Sequence, residues 1–377
     1  MPNISTMGAD QFDDHEPKER LQNLSFFNWW VFSILVGTLF SNTFLIYIQD
    51  NVGWAVGYAI PTAGLAVSIV VFIFGTHYYR HKPPPGSPLT RMARVLVATM
   101  RKLDPSSCLS FLDKAAMQTG LSSPWMLSPV TQVEQTKQMV KMIPILAATF
   151  IPSTMVAQTH TLFIKQGTTL DRAMGSHFKI PLACLSAFTT IFMLITIVIY
   201  DRLFVPFARR RTKNPRGISL LQRMGIGLVI HVLIMATAFL AEWRRLSVAR
   251  ENGIFGKDEM VPLPIFILVP QFELMVVADN FVEVAKLEFF YDQAPEGMKS
   301  IGTAYSMLSL GIGYFLSSLL LSTVADVSKR NGIGWILNNL NVCHLDYYYA
   351  FCAVLIELSE SCFLSCCYQV FLCIIWR

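Results

Sequence analysis

The chain has 377 residues, with 30 Lys and Arg against 25 Asp and Glu, for a formal charge of +5. Only 15% of its residues are charged and 53% are hydrophobic, whereas an ordinary soluble domain carries roughly 25% charge. So few charges cannot clothe soluble domains of this total size, and no concentrated basic face offers itself to nucleic acid. A polytopic membrane protein remains.

A spanning helix needs about 20 mostly apolar residues to cross the hydrocarbon core. The first 25 residues lack the charged and apolar regions of a secretory signal, so the first span is expected to serve as its own insertion signal. That span, 27–49, contains no Asp, Glu, Lys, Arg or His, and the second, 54–79, contains only His77. His77 and His81 are four residues apart and could share a helix face as metal ligands. Beside Tyr78, Tyr79 and Arg80 they read first as interfacial anchors.

Pro83-Pro84-Pro85-Gly86-Ser87-Pro88 stops the second span, because successive prolines donate no helix hydrogen bonds. Residues 81–137 then form a polar linker. Within it, 90–103 places Arg91, Arg94, Arg101 and Lys102 among Leu, Val, Ala and Met. This suits a helix lying on the inner leaflet, or equally a solvated linker helix.

Six further spans follow, at 138–160, 181–200, 218–241, 262–285, 303–324 and 347–375. Pro144 and Pro152 predict a bend in the third, and Gln158, Thr159 and His160 stand at its outer end. In the seventh, Gly311 and Gly313 with Ser306, Ser309, Ser317 and Ser318 predict a small-residue face for close helix packing. The last span holds Cys362, Cys366, Cys367 and Cys373, which read as small apolar fillers before they read as metal ligands. HExxH, GxSxG and GxxxxGK[ST] are absent, so neither an enzyme nor a cofactor is expected.

Lys and Arg collect in 80–137 and in 202–216, and basic loops stay in the cytoplasm. Eight alternating spans then place both termini there. The loop 244–261 runs against this rule, with Arg244, Arg245, Arg250 and Lys257 on the expected outer face, partly offset by Glu251, Asp258 and Glu259.

The informative polar residues lie within spans. Asp279, Glu283 and Lys286 fall at i, i+4 and i+7, on one face of the sixth. Ionisable groups in lipid are costly and normally face a bundle interior or a watery cavity. Here they could hold a charged solute or a transported proton. The bland alternative is an ion-paired packing cluster near the cytoplasmic end, with Lys286 and Glu288 reaching water.

Gly8-Ala9-Asp10-Gln11-Phe12-Asp13 followed by Ser25-Phe26-Phe27-Asn28-Trp29-Trp30 resembles the signature of the proton-coupled oligopeptide transporters, a branch of the major facilitator superfamily. Residues 47–54, 86–91, 130–134, Gln222-Arg223-Met224-Gly225-Ile226-Gly227 and 287–295 resemble its plant nitrate/peptide transporter members. The resemblance runs from residue 2 to about 355 and implies an all-α partial major facilitator fold, with eight spans matching helices five to twelve of twelve. Residues 1–80 would be the remnant of the first six-helix half, 81–137 the central linker and 138–377 the second half, with a divergent last helix.

The resemblance also implies proton-driven alternating access for di- or tripeptides ahead of nitrate, in a plasma or vacuolar membrane. Asp279 falls at the family's tenth-helix carboxylate, with Glu283, Lys286, Gln158 and His160 as further solute- or proton-binding candidates. Asp201 and Arg202, with Arg209 and Arg210, are similar to the superfamily's gating loop. The family's first-helix ExxER motif has no counterpart, its fourth-helix lysine would fall at Met1, and Val156 stands where some nitrate carriers place a histidine. The alternative is a non-transporting remnant or regulatory fragment that associates with full-length relatives.

Overall fold

The computed structural model describes residues 2–13, 16–80, 86–101, 111–116, 125, 127–174, 178–179, 183–257, 259–330, 332 and 334–375. Seven helical stretches are long and apolar enough to cross a membrane: Gln22–Gln49, Trp54–Gly75, Thr189–Thr212, Leu220–Glu251, Ile265–Gln293, Lys299–Arg330 and Leu345–Ser365. Val130–Ala148 and Phe150–Thr168 form an eighth, bent by 45°. The eight expected spans are therefore present. His81 and Lys102 lie outside the described residues, as do the side chains of Cys366, Cys367 and Cys373.

The short helix α1 (Pro2–Ala9) precedes α2 (Pro17–Phe40), which opens on a proline in its first turn, where no backbone donor is needed. The first span continues through a π-helical turn at Ser41–Leu45 into α3 (Ile46–Asn51). Gly53 then turns the chain with φ of 132°, and α4 (Trp54–Gly75) returns. Phe40, Phe44, Tyr47, Tyr58 and Phe74 stand exposed along this pair, apolar surface suited to lipid.

Helix α5 (Pro88–Arg101) buries Val95, Ala98 and Thr99 and packs with Ala115 and with Val133 of α6 (Val130–Lys141). Its apolar face is thus spent on protein, which favours the linker-helix reading over the inner-leaflet one. Lys137 of α6 pairs with Asp113 and Glu134.

The bend in the third span lies between α7 (Ile143–Ala148) and α8 (Phe150–Thr159), each with a proline near its start. After α9 (Leu162–Thr168) come α10 (Ala183–Ile199), a π-helical turn at Tyr200–Phe204 and α11 (Val205–Thr212). Ser219 and Gln222 form a reciprocal capping box that starts α12 (Leu220–Glu251). The sixth span comprises α13 (Val269–Asp279), a π-helical turn at Asn280–Val284 and α14 (Ala285–Gln293). Helices α15 (Lys299–Arg330) and α16 (Leu345–Ile375) complete the bundle.

The main core gathers Met155, Phe163, Ile234, Phe272, Tyr348 and Tyr349 from α8, α9, α12, α13 and α16. Helix α15 lies close on α8: a Cβ on Gly313 would sit 2.5 Å from Ser153 Cβ and 2.6 Å from its carbonyl carbon. Ser306, Ser309, Gly313 and Ser317 are buried on the expected small-residue face. Gly311 has open space around it and Ser318 is exposed, so those two lie off that face.

Helix α12 runs ten residues past the expected end of its span, taking in Arg244, Arg245 and Arg250. Arg245 is no outer-loop cation. It is fully buried with Glu242, Nη2 to Oε1 2.6 Å and Nε to Oε2 2.8 Å. Leu340 O, Asn341 Oδ1 and, on the glutamate side, Gln166 Nε2 complete the set. Three of the four basic residues of the loop that ran against the basic-loop rule are thus helical, and one is neutralised in place.

Candidate functional site

The wide turn at Asn280–Val284 sits where Asp279, Glu283 and Lys286 were expected to share a face. Such turns admit an extra residue and recur at functional positions. Glu283 reaches forward to Lys286, with Oε1 2.7 Å from Nζ. Lys286 also donates to Ser153 Oγ at 3.1 Å and Ser309 Oγ at 3.3 Å, so all three of its donors are placed. It is fully buried, as is Glu288 nearly so. The expectation that both reach water is therefore corrected: three helices close over the ammonium, and Glu288 turns to arginines.

Asp279 is different. It is half-buried, and its Oδ1 is shielded from solvent without a hydrogen-bond partner. Glu283 and Lys286 act on it from its own span, and Tyr314 faces it from α15. His231 of α12, in the electrostatic reach of Glu283 and Lys286, carried no signal in the sequence. Its Nδ1 lies 2.8 Å from Gly227 O, which can only accept, so Nδ1 carries a proton, and the buried Nε2 has no hydrogen-bond partner.

Gln158 is buried and donates to Ser317 Oγ at 3.1 Å and Tyr348 OH at 3.3 Å. It continues a polar ladder between α8 and α15 in which Thr149 and Ser153 both meet Ser309, at 2.8 and 3.0 Å. Its Oε1 is unpartnered. His160, by contrast, is an exposed residue just past the end of α8, and the structure does not bring it to the cluster.

A second polar centre lies at the basic end of the bundle. Asp201, in the π-helical turn at Tyr200–Phe204, accepts from Asn28 Nδ2 and Trp29 Nε1, both at 3.1 Å. Arg202 stacks over the Trp29 ring at 5.3 Å. Arg209 lines the adjoining cleft with Arg216, Arg223 and Glu288, while Arg210 is exposed. Asp201, Arg202 and Arg209 are therefore brought together, and Arg210 is not.

Arg223 and Asn28 are the residues that sequence reasoning quoted only as parts of motifs. Arg216 Nε lies 3.1 Å from Glu288 and its Nη1 2.8 Å from Asp292. Arg223 spans 4.0 Å to the Tyr200 ring. Helix α1 docks at the same end, with Tyr291 OH donating to Asp10 at 2.9 Å and Thr6 meeting Thr303 at 3.0 Å. The Gly-Ala-Asp-Gln-Phe-Asp stretch is thus a clamp: Gln11 also accepts from the Arg80 backbone at 2.8 Å, and Arg80 pairs with Glu19 at 3.3 Å.

A long-helix bundle with polar centres buried between spans defines a multi-pass membrane protein, and solved structures share its fold. One is the in meso crystal structure of the POT family transporter PepTSo, with a TM-score of 0.63 at 18% identity over 97% of this chain and 75% of that one. Another is an auto-inhibited POT family peptide transporter, with a TM-score of 0.60 at 18% identity over 98% and 74%.

The profile of the POT family (PTR2) matches residues 1–336, and the chain belongs to that family. It is 56% identical to Protein NRT1/ PTR FAMILY 5.2 of Arabidopsis thaliana over 94% of this chain and 66% of the relative. To Protein NRT1/ PTR FAMILY 5.3 of the same plant it is 54% identical over 96% and 67%. The chain spans about two thirds of the length of these relatives.

Proposed function

We propose that the chain carries the solute- and proton-binding centre of a proton-coupled transporter of di- or tripeptides ahead of nitrate, working by alternating access. The observation that supports this most is the asymmetry of the Asp279 cluster. Two carboxylates face one ammonium, and that ammonium is already occupied by Glu283, Ser153 and Ser309. Among the described residues of the cluster no cation is left to receive an anion, whereas Asp279 Oδ1 lacks a donor. A solute amine or a proton fits that vacancy better than nitrate does.

In this reading residues 138–377 would be one of the two bodies that rocking requires, 81–137 the link, and 1–80, with two spans, only a part of the other body. Asp201, Arg202 and Arg209 would close the basic end, taken as cytoplasmic. Asp279→Asn keeps the shape but cannot carry the charge. It is expected to abolish proton-driven dipeptide uptake while membrane abundance stays near that of the parent. Uptake that keeps the parent's pH dependence would place the coupling site elsewhere.

A second reading is a non-transporting remnant or regulatory fragment that associates with full-length relatives, whose spans could meet the exposed apolar faces of α2 and α4 in place of lipid. Uptake seen only on co-expression with such a relative would support it.

A further inference from the structure

One guanidinium joins the two polar centres. Arg223 is only 2% exposed, and its Nη2 lies 3.1 Å from Asn28 Oδ1, 2.8 Å from Asn280 O and 2.9 Å from Asn280 Oδ1. A terminal guanidinium nitrogen has two hydrogens, so three acceptors share them. Two acceptors belong to the residue directly after Asp279, at the start of the wide turn. The third belongs to α2, on the other side of the cleft. The Asn28 amide is held at both ends, since its Nδ2 donates to Asp201 at 3.1 Å.

We propose that Arg223 is a positioning residue that ties closure of the basic end to Asp279, because its Nη2 hydrogen-bonds Asn28 of α2 and Asn280 of the wide turn at once. When the end opens, α2 carries Asn28 away, and the hydrogens of Nη2 fall wholly to Asn280. The turn that begins directly after Asp279 therefore has a different donor set in the two arrangements. Linkage works in both directions, so a change at Asp279 shifts the closure by the same free energy. The inference rests on the alternating-access reading above.

The groups that act on Asp279 are Glu283 and Lys286 on its own span and Tyr314 on α15, with His231 of α12 behind Glu283. At the other end of Arg223 stand Glu288, with Oε2 3.9 Å from Nη1, then Asp201, and Tyr200, whose ring the guanidinium covers. Helices α8 and α10, which also pack on α13, contain no Asp, Glu, Lys, Arg, His or Tyr.

The test needs no substrate. Ser25 lines the cleft, so Ser25→Cys in the full chain reports its opening to a membrane-impermeant maleimide in inside-out vesicles. Rates are normalised to Lys213→Cys, an exposed position at the same end. The normalised rate is expected to be severalfold higher at pH 5.5 than at pH 7.5, and high at both in Asp279→Asn. Arg223→Gln in the otherwise parent sequence should make the rates at the two pH values equal.

Arg223→Lys keeps the cation on Tyr200 but lacks the planar fork. It should also flatten the profile, and it decides the matter if the glutamine variant fails to fold. A parent rate that does not change with pH, or a lysine variant that keeps the parent's profile, would overturn the proposal. Loss of uptake by the parent chain would remove the transport reading separately.

Discussion

Lys286 shows how far a single residue can depart from its sequence pattern. Near a span end, a lysine ordinarily extends its stem and puts its ammonium in water. Here Ser153 and Ser309 take two donors and Glu283 the third, and although Glu283 is partly exposed the ammonium itself has no exposed surface. Removing one member of a buried pair costs about 3–5 kcal/mol, because the other charge is left uncompensated. Lys286→Gln is therefore expected to lower the thermal midpoint of the detergent-solubilised protein, as well as its uptake. Lys286→Gln together with Glu283→Gln should recover most of the stability and none of the uptake. A single variant that melts with the parent would show that the ammonium is dispensable for folding. The same logic explains Glu242 and Arg245. Their i, i+3 spacing was visible, but Gln166, Leu340 and Asn341 come from 76 to 96 residues away, and nothing in the local pattern distinguishes this pair from a solvated one.

At the scale of elements, spans were legible because length and apolarity are local properties. Their ends were not, since charged residues such as Arg245 and Glu288 find partners inside the bundle and the helix need not stop for them. The wide turns at Tyr200–Phe204 and Asn280–Val284 left no sequence mark, although Asp201 and Glu283 within them did. The Asp279–Glu283–Lys286 spacing placed the three on one face of a regular helix. The wide turn then altered which of them meet. The small-residue face of α15 was legible as a period, but whether Gly311 or Gly313 met a neighbour depended on where α8 lies. Gly313 meets Ser153 with no room for a Cβ, and Gly311 meets nothing. Gly313→Leu is expected to part α8 from α15, breaking the Ser153–Ser309 and Gln158–Ser317 contacts and lowering the melting midpoint by several degrees. Gly311→Ala should match the parent or gain slightly, since it removes helix-interior glycine at a cost-free site. Equal effects from the two would mean that α15 does not approach α8 through this face.

The whole molecule has one end where its basic segments meet. Arg80 reaches Gln11 and Glu19, Arg91 donates to Gly297 O at 3.0 Å, Arg216 bridges Glu288 and Asp292, and Tyr291 holds Asp10. Arg80, α5, Arg216 and the α14–α15 connection therefore share a side, as eight alternating spans require. The opposite end carries Phe255 and Met260, both exposed, beside the parallel pairing of Leu170–Asp171 with Val261–Pro264. Because basic loops resist translocation, the first end is expected to be cytoplasmic. In intact cells, Leu89→Cys and Lys213→Cys, both at exposed positions, should escape an impermeant maleimide added outside, whereas Phe255→Cys should react. Permeabilising the cells should make the first two react as well. The native thiols complicate this little among the described residues. Cys343 is buried, with its thiol pushed up to about 11 by that burial, so it stays protonated and unreactive at neutral pH. Cys362 is exposed and is replaced by serine in every variant. Outside labelling of Leu89→Cys or Lys213→Cys before permeabilisation would invert the orientation, and labelling of only one of them would break the alternation on which eight spans depend.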